Sequence, residues 1–577
     1  MFISNNYKYI RSNVKLLLLV FIILTSFSSL NYSFSENWKP NHFGSFLSTQ
    51  IARSNLDIEN SAFFSRIVYE NERSSIALAI MAIESLTANG QIEDAIRIVN
   101  GIPDFSYITL GLYLKSIFLI DIGDYESVKE TLSKISPNGI DSYILPILQA
   151  WIEAGLRNHE KAVTALNVQA NKGIFSPIYD YHSALISDWA GDYKLAEQKY
   201  EDAINRNNDS NSRLFIAASS FFSRHQINEK KLRIDKKFQK SMPDSSEFFI
   251  FNKNKDRINQ ISPITNNIRE GVAEVFLNAS EILYNEGLIS QALVYSQLAL
   301  FLNNKLDNAK LIIGNIFKSN NNYSRAIQYY EDIDDFSVLK INADIAIAKC
   351  FSEMQKINEA INFLNDDKNI YKNHFNYLKT IAEIYYDDKD FGSSNIYYTK
   401  VFESIPSLEK RHWPLLYAYG ISLERAGKWE EAEDKFTQAL IFSPDHPLIL
   451  NYLGYSWLDR GVKIELAIEM IKKAVEQQPN DGYIVDSLGW GYYQIGNYED
   501  AVKYLENASE LVPGDPIITD HLGDALFYAG RKIEAKFQWN KALEFEPPSE
   551  LIIKIKNKIE GIQFPAPGIK ATSSKDM

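Results

Sequence analysis

The chain has 577 residues, of which 45% are hydrophobic, and this is ample for a large buried core. Its formal net charge of −13 disfavours a nucleic acid as the partner. The single cysteine excludes internal disulfides, so stability must come from packing.

The N-terminal segment has the pattern of a secretory signal. Basic residues between Lys8 and Lys15 precede an apolar core at 16–24 (LLLLVFIIL), and cleavage is expected after Ser35. The core is short for a membrane span, which needs about 20 residues, and no cysteine stands near the cleavage site to carry a lipid. We therefore predict a signal peptide at 1–35 and an exported, periplasmic protein. An uncleaved membrane anchor is the alternative.

Loosely repeated helical hairpins follow the signal. Small residues recur at similar offsets through 36–207 and again through 266–410, where Gly287, Ala292 and Ala299 form one such set. We predict degenerate helical repeats in the first stretch and divergent repeats in the second.

A compositional break separates these two stretches. Residues 208–265 are rich in Asn, Lys and Ser and contain Pro243 and Pro263. Long insertions of this kind are disordered or functional. We predict an irregular connection here, with a disordered spacer preferred over a functional loop.

Residues 411–548 contain four well-formed copies of one pattern. Each copy has a Gly in a first helix, a second Gly after it, two Ala in a second helix and a closing Pro. The first Gly residues stand 34, 35 and 34 residues apart, a period typical of stacked helix pairs. The small positions that define the register are Gly420, Ala432, Ala439, Gly454, Ala467, Ala474, Gly489, Ala501, Ala508, Gly523, Ala535 and Ala542.

One copy, residues 413–444, shows why such pairs must stack. Leu416 and Gly420 share a face of the first helix, and Ala432 and Phe436 share a face of the second. The helices can approach closely where side chains are small, and Phe436 fills the space beside them. A lone pair could not bury these faces, so neighbouring pairs must pack together.

This pattern resembles the tetratricopeptide repeat (TPR) family, on the small residues at 420, 427, 432 and 439, the aromatic Phe436 and the closing Pro444. The resemblance extends loosely over 75–548 and strongly from about 411. It implies an all-α fold, a right-handed superhelical solenoid of antiparallel helix pairs. Residues 549–577 are predicted to add a C-terminal helix and a disordered tail.

No residue set points to catalysis. None of the eight histidines belongs to a metal-protease helix motif or has zinc-site spacing, and no phosphate loop or Gly-x-Ser-x-Gly elbow occurs. Acidic residues such as Glu430 and Asp434 fall on polar helix faces. We therefore expect no enzyme activity, no cofactor and no metal.

The resemblance also predicts a binding surface, because the first helix of each TPR pair lines the concave side of the array. Aromatic residues, which are enriched at interfaces, dominate the predicted positions. For Trp490 and Tyr493 the alternative is packing against neighbouring helices. The predicted partner-binding residues are Tyr417, Ile421, Asn451, Tyr455, Asp486, Trp490, Tyr493, Asp524 and Phe527.

The type of partner follows from the same positions. Some TPR adaptors hold a C-terminal carboxylate with Lys, Asn and Arg, and only Asn451 has the right chemistry here. That mode is not expected, and the surface should instead favour neutral, aromatic or basic segments.

The last two copies, 485–508 and 520–547, resemble those of exported proteobacterial TPR proteins. Some members of that group are lipoprotein adaptors that present cell-wall hydrolases to envelope proteases, although this chain lacks the lipid-bearing cysteine. The resemblance implies a non-catalytic scaffold or adaptor in the bacterial envelope, with protein or peptide partners of that kind. The alternatives are a cell-wall (glycan)-binding regulator and an assembly component held at the membrane by an uncleaved N-terminal segment.

Overall fold

The computed structural model describes residues 42–106, 108–171, 173, 175–206, 211–254, 263–366 and 371–561. Within those ranges the chain forms 30 α-helices and one short 3-10 helix, and no strand. The chain divides after Lys340 into two compact units. The predicted all-α array of helix pairs is confirmed in both. The predicted signal peptide and C-terminal tail lie outside the described residues.

The first unit consists of hairpins in which consecutive helices pack against each other. Its 17 described helices are α1 (His42–Ser54), α2 (Ile58–Asn71), α3 (Ile76–Ala88), α4 (Ile92–Asn100), α5 (Thr109–Asp121), α6 (Tyr125–Ser133), α7 (Asp141–Gly155), α8 (His159–Ala170), α9 (Ser176–Ala190), α10 (Tyr193–Arg206), α11 (Ser212–Arg224), α12 (Asn228–Ser241), α13 (Ser246–Lys253), α14 (Ile268–Asn285), α15 (Ile289–Leu302), α16 (Asp307–Ser319) and α17 (Tyr323–Glu331).

The segment 208–265 corrects the sequence prediction. It was expected to be irregular, yet α11, α12 and α13 occupy most of its described part. Helix α12 buries Ile234 and Phe238 on one side, and Phe238 stacks on Phe215 of α11 with ring centroids 5.0 Å apart. The lysines of α12 lie on the rest of the helix surface. They dominate the composition of the segment, and for this reason the apolar face was not recognised from the sequence.

Helices α14 and α15 pack against helices much earlier in the chain. Helix α14 contacts α5, α7 and α9, and α15 contacts α3 and α4. A Cβ at Gly271 of α14 would lie 2.4 Å from the ring of Trp151 in α7, so only glycine permits this approach. Residues 266–340 therefore belong with the N-terminal helices, whereas the sequence grouped them with residues up to 410.

A buried hydrogen-bond chain links α7, α9 and α14. Trp151 Nε1 donates to His182 Nδ1 at 3.0 Å, and His182 Nε2 lies 3.0 Å from Asn278 Oδ1. Both hydrogen bonds of His182 form when its imidazole is neutral and carries its proton on Nε2. His182 is fully buried, and burial lowers its pKa to about 4.

Acidification from about pH 7 to about pH 5 is expected to remove about 2 kcal/mol of unfolding free energy from the first unit through His182. The ordinary pKa is 6.5, so the unfolded chain takes up a proton in this range and the folded chain does not. The loss therefore begins as the pH falls below 6.5 and continues towards the folded pKa. Urea denaturation at the two pH values, compared with His182→Gln, measures this component. An unchanged pH dependence in the variant would contradict it.

The second unit contains the four well-formed repeats. Its 13 described α-helices are α18 (Lys340–Glu353), α19 (Ile357–Asn365), α20 (Phe375–Asp387), α21 (Phe391–Ser404), α22 (Trp413–Arg425), α23 (Trp429–Phe442), α24 (Pro447–Arg460), α25 (Ile464–Gln477), α26 (Gly482–Gln494), α27 (Tyr498–Leu511), α28 (Pro516–Tyr528), α29 (Lys532–Glu544) and α30 (Ser549–Glu560). The short 3-10 helix Lys410–His412 precedes α22.

The small residues of the predicted register lie where the two helices of each pair touch. The eight repeat alanines are fully buried, and the four first-helix glycines each face a side chain of the second helix. A Cβ at Gly420 would lie 2.6 Å from the ring of Phe436, and one at Gly523 would lie 2.4 Å from that of Trp539. Small residues at these positions are therefore what lets the two helices of each pair touch.

The turns also follow the sequence. Gly427, just beyond α22, has a φ of +76°, the left-handed conformation that glycine adopts without strain. The second of the four repeats has a first helix, α24, that is one residue longer than the other three, and Lys463 in its turn has a φ of +49°. Each second helix ends before the closing proline.

The described ranges contain neither a membrane-spanning helix nor a cluster of metal-ligating side chains. No helix there combines the length and apolar character needed to cross a membrane. No group of three or more His, Cys, Asp and Glu side chains in that part of the chain is placed to hold a metal ion.

Candidate functional site

The candidate site is the surface carried by the first helices of the four repeats, α22, α24, α26 and α28, which we term the first-helix face. Helix α24 contacts α26, and α26 contacts α28. The rings of Tyr417 in α22 and Tyr452 in α24 meet edge to face at 5.7 Å. The face is thus continuous from repeat to repeat.

Six of the nine predicted contact residues are half-buried and reach this surface. They are Tyr417, Ile421, Asn451, Tyr455, Trp490 and Phe527. The other three, Asp486, Tyr493 and Asp524, are interior residues with 7%, 1% and 3% exposure. These three side chains were predicted to contact a partner, and their burial shows that this prediction is wrong.

Tyr493 is buried by other aromatic rings. It stacks on Trp490 at 4.6 Å and contacts Tyr498 and Tyr528 at 5.9 and 6.0 Å between ring centroids. Tyr493 therefore packs against neighbouring helices, which was the alternative raised from the sequence. Trp490 both packs and reaches the surface.

Asp486 is used to hold His521. The imidazole Nδ1 lies 3.0 Å from Asp486 Oδ1, and the ring stacks on Trp490 at 4.1 Å. Burial alone would lower the pKa of His521, but the carboxylates of Asp486, Asp520 and Asp524 outweigh it and raise that pKa. The stacked imidazole holds the Trp490 indole in place at the surface.

Asp524 is used to hold the C-terminal helix. Lys558 of α30 lies 2.7 Å from an oxygen of Asp524 and 2.8 Å from one of Asp520, and Trp539 Nε1 donates to Asp524 at 2.9 Å. Burial, with the neighbouring Asp520 carboxylate, raises the pKa of Asp524 to about 6. Helix α30 thus closes the last repeat through a buried ionic contact.

Tyr417, Tyr455 and Asn451 have polar groups that can form hydrogen bonds with a partner. Burial raises the pKa of Tyr417 and of Tyr455 to about 12, so both phenols are neutral donors. Asn451 Oδ1 is buried and has no hydrogen-bond donor among the described residues. A bound segment could therefore receive two O–H bonds and donate one N–H bond across two consecutive repeats.

Three carboxylates, those of Glu353, Glu383 and Asp387, lie on α18 and α20. Glu353 and Asp387 are exposed, and Lys349 and Lys379 both pair with Glu383. Burial, followed by the charge of Glu383, raises the pKa of Asp387. A basic segment would be favoured next to these acids.

The sequence reading missed His521 and Lys558. His521 stands two residues before the repeat glycine, where the other copies have Ala418, Tyr452 and Ser487. Aligning the copies would have marked this position as variable, but its stacking on Trp490 depends on the approach of two helices.

The geometry defines a helical-repeat binding scaffold, since a partly exposed aromatic and polar face runs across stacked helix pairs. The tetratricopeptide repeat family model matches residues 417–482 and 487–550. This match falls on the four well-formed repeats.

Two curated relatives are similar over part of the chain. TPR repeat-containing protein PA4667 of Pseudomonas aeruginosa is 30% identical over 122 residues, 21% of each chain. BBSome complex member BBS4 of Bos taurus is 30% identical over 102 residues, 18% of this chain and 19% of that protein. The chain thus spans about a fifth of the length of the curated relatives that it matches.

Solved structures give weaker likenesses. The APC/C hetero-tetramer Cut9–Hcn1 is 12% identical, with 90% of this chain and 96% of that one covered and a TM-score of 0.36. MamA from Desulfovibrio magneticus is 21% identical, with 30% and 94% covered and a TM-score of 0.27.

Proposed function

We propose that this chain is a non-catalytic periplasmic scaffold that binds a partner polypeptide along the first-helix face. The observation that carries the proposal is the row of half-buried aromatic residues, Tyr417, Tyr455 and Trp490, on three consecutive first helices. Aromatic side chains that are already ordered lose little entropy on binding, and they form most binding hot spots.

The chemistry of the face suggests the kind of segment it holds. The neutral phenols of Tyr417 and Tyr455 and the unpaired Asn451 carbonyl oxygen match the hydrogen-bonding groups of a polypeptide backbone. The acids on α18 and α20 favour basic side chains at that end. An extended segment with apolar and basic residues fits both properties.

The periplasmic location rests on the secretory pattern at 1–35. Envelope proteases and cell-wall hydrolases are the proposed partners, on the resemblance of the last two repeats to exported adaptors. N-terminal sequencing of the purified periplasmic protein tests the location, because export with cleavage predicts a chain that begins at Glu36. A chain that retains residues 1–35 would favour the anchored assembly component instead.

Glycan binding is less well supported. Trp490 already stacks on the rings of Tyr493 and His521, and this leaves little of its aromatic face for a sugar ring. Retention of the chain by protein-free peptidoglycan would reverse this preference.

Trp490→Ala is expected to weaken partner binding about tenfold or more, the usual effect of removing a hot-spot aromatic. A photo-crosslinking residue at Tyr455 in intact cells identifies the captured partner, whose affinity for the purified variants is then measured. Ile441→Ala is the matched control, because Ile441 is 67% exposed on the second helix α23, away from the first-helix face. Equal loss in both variants, or no loss in Trp490→Ala, would count against the proposal.

A further inference from the structure

The outer surface of the last repeat carries an exposed apolar pair. Ile533 and Phe537 of α29 are 89% and 65% exposed. They stand four residues apart and therefore share one face of the helix. Ile533 is the most exposed large hydrophobic side chain in the described part of the chain.

The three preceding repeats show that this pair is not required by the fold. At the same offsets from the repeat alanines they have charged residues, as expected for a solvated outer face. These are Glu430 with Asp434, Glu465 with Glu469, and Glu499 with Lys503. The last repeat alone among the four replaces both charges by apolar side chains, and exposed apolar side chains grouped in this way mark interaction surfaces.

Cations border the pair. Lys541 continues the same face one turn beyond Phe537. Lys532 and Lys536 stand on one side of the pair, and the Lys532 ammonium also lies 5.5 Å from the ring centroid of Phe527. No described carboxylate pairs with any of these three lysines, whereas Glu534 on the same helix is already paired with Arg531. The outer surface of α29 is thus apolar and locally basic in a chain of net charge −13.

We infer that this surface, formed by Ile533, Phe537 and the three lysines, docks an amphipathic helix of a partner protein whose apolar stripe is flanked by acidic residues. Two apolar residues at i and i+4 form a ridge that fits the groove of a second helix. The acidic flanks would pair with Lys532, Lys536 and Lys541. A symmetric contact with a second copy is disfavoured, because it would bring the same lysines face to face.

A defined pair of probes tests this surface. A labelled helical peptide of about 15 residues with a leucine stripe and glutamate flanks should bind the full chain, and the same design with lysine flanks should not. Ile533→Glu with Phe537→Lys copies the pair found at Glu499 and Lys503, so the fold should tolerate it. Fluorescence anisotropy should show the acidic peptide binding this variant at least about tenfold more weakly.

Control variants distinguish the proposed partner helix from other occupants of this surface. Glu499→Gln with Lys503→Gln alters the equivalent positions of the preceding repeat and should leave peptide affinity unchanged. Equal affinity of the acidic peptide for the wild type and the Ile533/Phe537 variant, or no binding to either, would overturn the inference. So would a concentration-dependent dimer that the variant abolishes, or a tenfold gain in affinity on deletion of residues 562–577. If the Ile533/Phe537 variant unfolds at a lower temperature than the wild type, the peptide affinity of the single variant Phe537→Gln is measured instead.

Discussion

Gly489→Leu is expected to cost the last two repeats about 3 kcal/mol of unfolding free energy. A Cβ at this position would lie 2.6 Å from Leu505 Cγ and 3.2 Å from the backbone nitrogen of the same residue. Helix α27 must therefore move, and overpacking that shifts a backbone reaches or exceeds the upper end of the usual range of about 1–3 kcal/mol. The higher helix propensity of leucine stabilises α26 by only about 1 kcal/mol, so the steric cost is the larger effect.

Hydrogen exchange followed by mass spectrometry of α26 and α27 measures this loss in the repeats concerned. A loss of about 3 kcal/mol corresponds to roughly a hundredfold faster exchange. The effect should extend into α25 and α28, because each repeat is stabilised by its neighbours. Glu510→Leu places the same side chain on an exposed position of α27 and should change stability by less than about 0.5 kcal/mol. Similar protection in both variants would show that the helix contact at 489 is not tight.

Lys558→Ala is expected to release helix α30 from the last repeat at a cost of about 3 kcal/mol. The side chains of Lys558, Asp520 and Asp524 are 11%, 6% and 5% exposed. Removing the lysine leaves two carboxylates close together with little solvent, and an uncompensated buried charge costs about 3–5 kcal/mol. Limited proteolysis within 549–560 and the unfolding transition of the last repeat both report the change.

A compensating variant tests the cause. Lys558→Met combined with Asp520→Asn and Asp524→Asn removes the charges together and keeps the volume, so much of the lost stability should return. Arg531→Ala breaks exposed ion pairs with Glu534 and with Glu506 of the preceding repeat, and it should cost under about 1 kcal/mol. If the combined variant is no more stable than Lys558→Ala, packing of the lysine stem rather than charge holds α30.

The local features of the repeats could be predicted because short-range sequence encodes them. Gly420 and Ala432 mark where two helices touch, and Gly427 and Pro444 mark where each one ends. These requirements act within about 34 residues and recur in each copy. The segment 208–265 was misjudged because its lysines dominate the composition, while a few apolar residues such as Phe238 decide that it packs as helix.

The candidate site was predictable only in part. The register identified which positions face outward from the first helices, and six of nine do reach the surface. It could not reveal that Tyr493 is enclosed by rings from two other helices, or that Asp486 and Asp524 are already paired with His521 and Lys558. Those partners stand about 34 residues away, and no local pattern joins them.

The sequence by itself determined the helix pairs, their period, their turns and the small residues that let them stack, because backbone propensity and side-chain volume act locally. The tertiary structure decided which outward side chains remain available. It buried Tyr493, paired Asp524 with Lys558, packed α14 onto α7 through Gly271, and left Ile533 and Phe537 exposed. Burial and charge pairing depend on helices that meet only after folding, and this is why the binding surface, unlike the repeat, needed the structure.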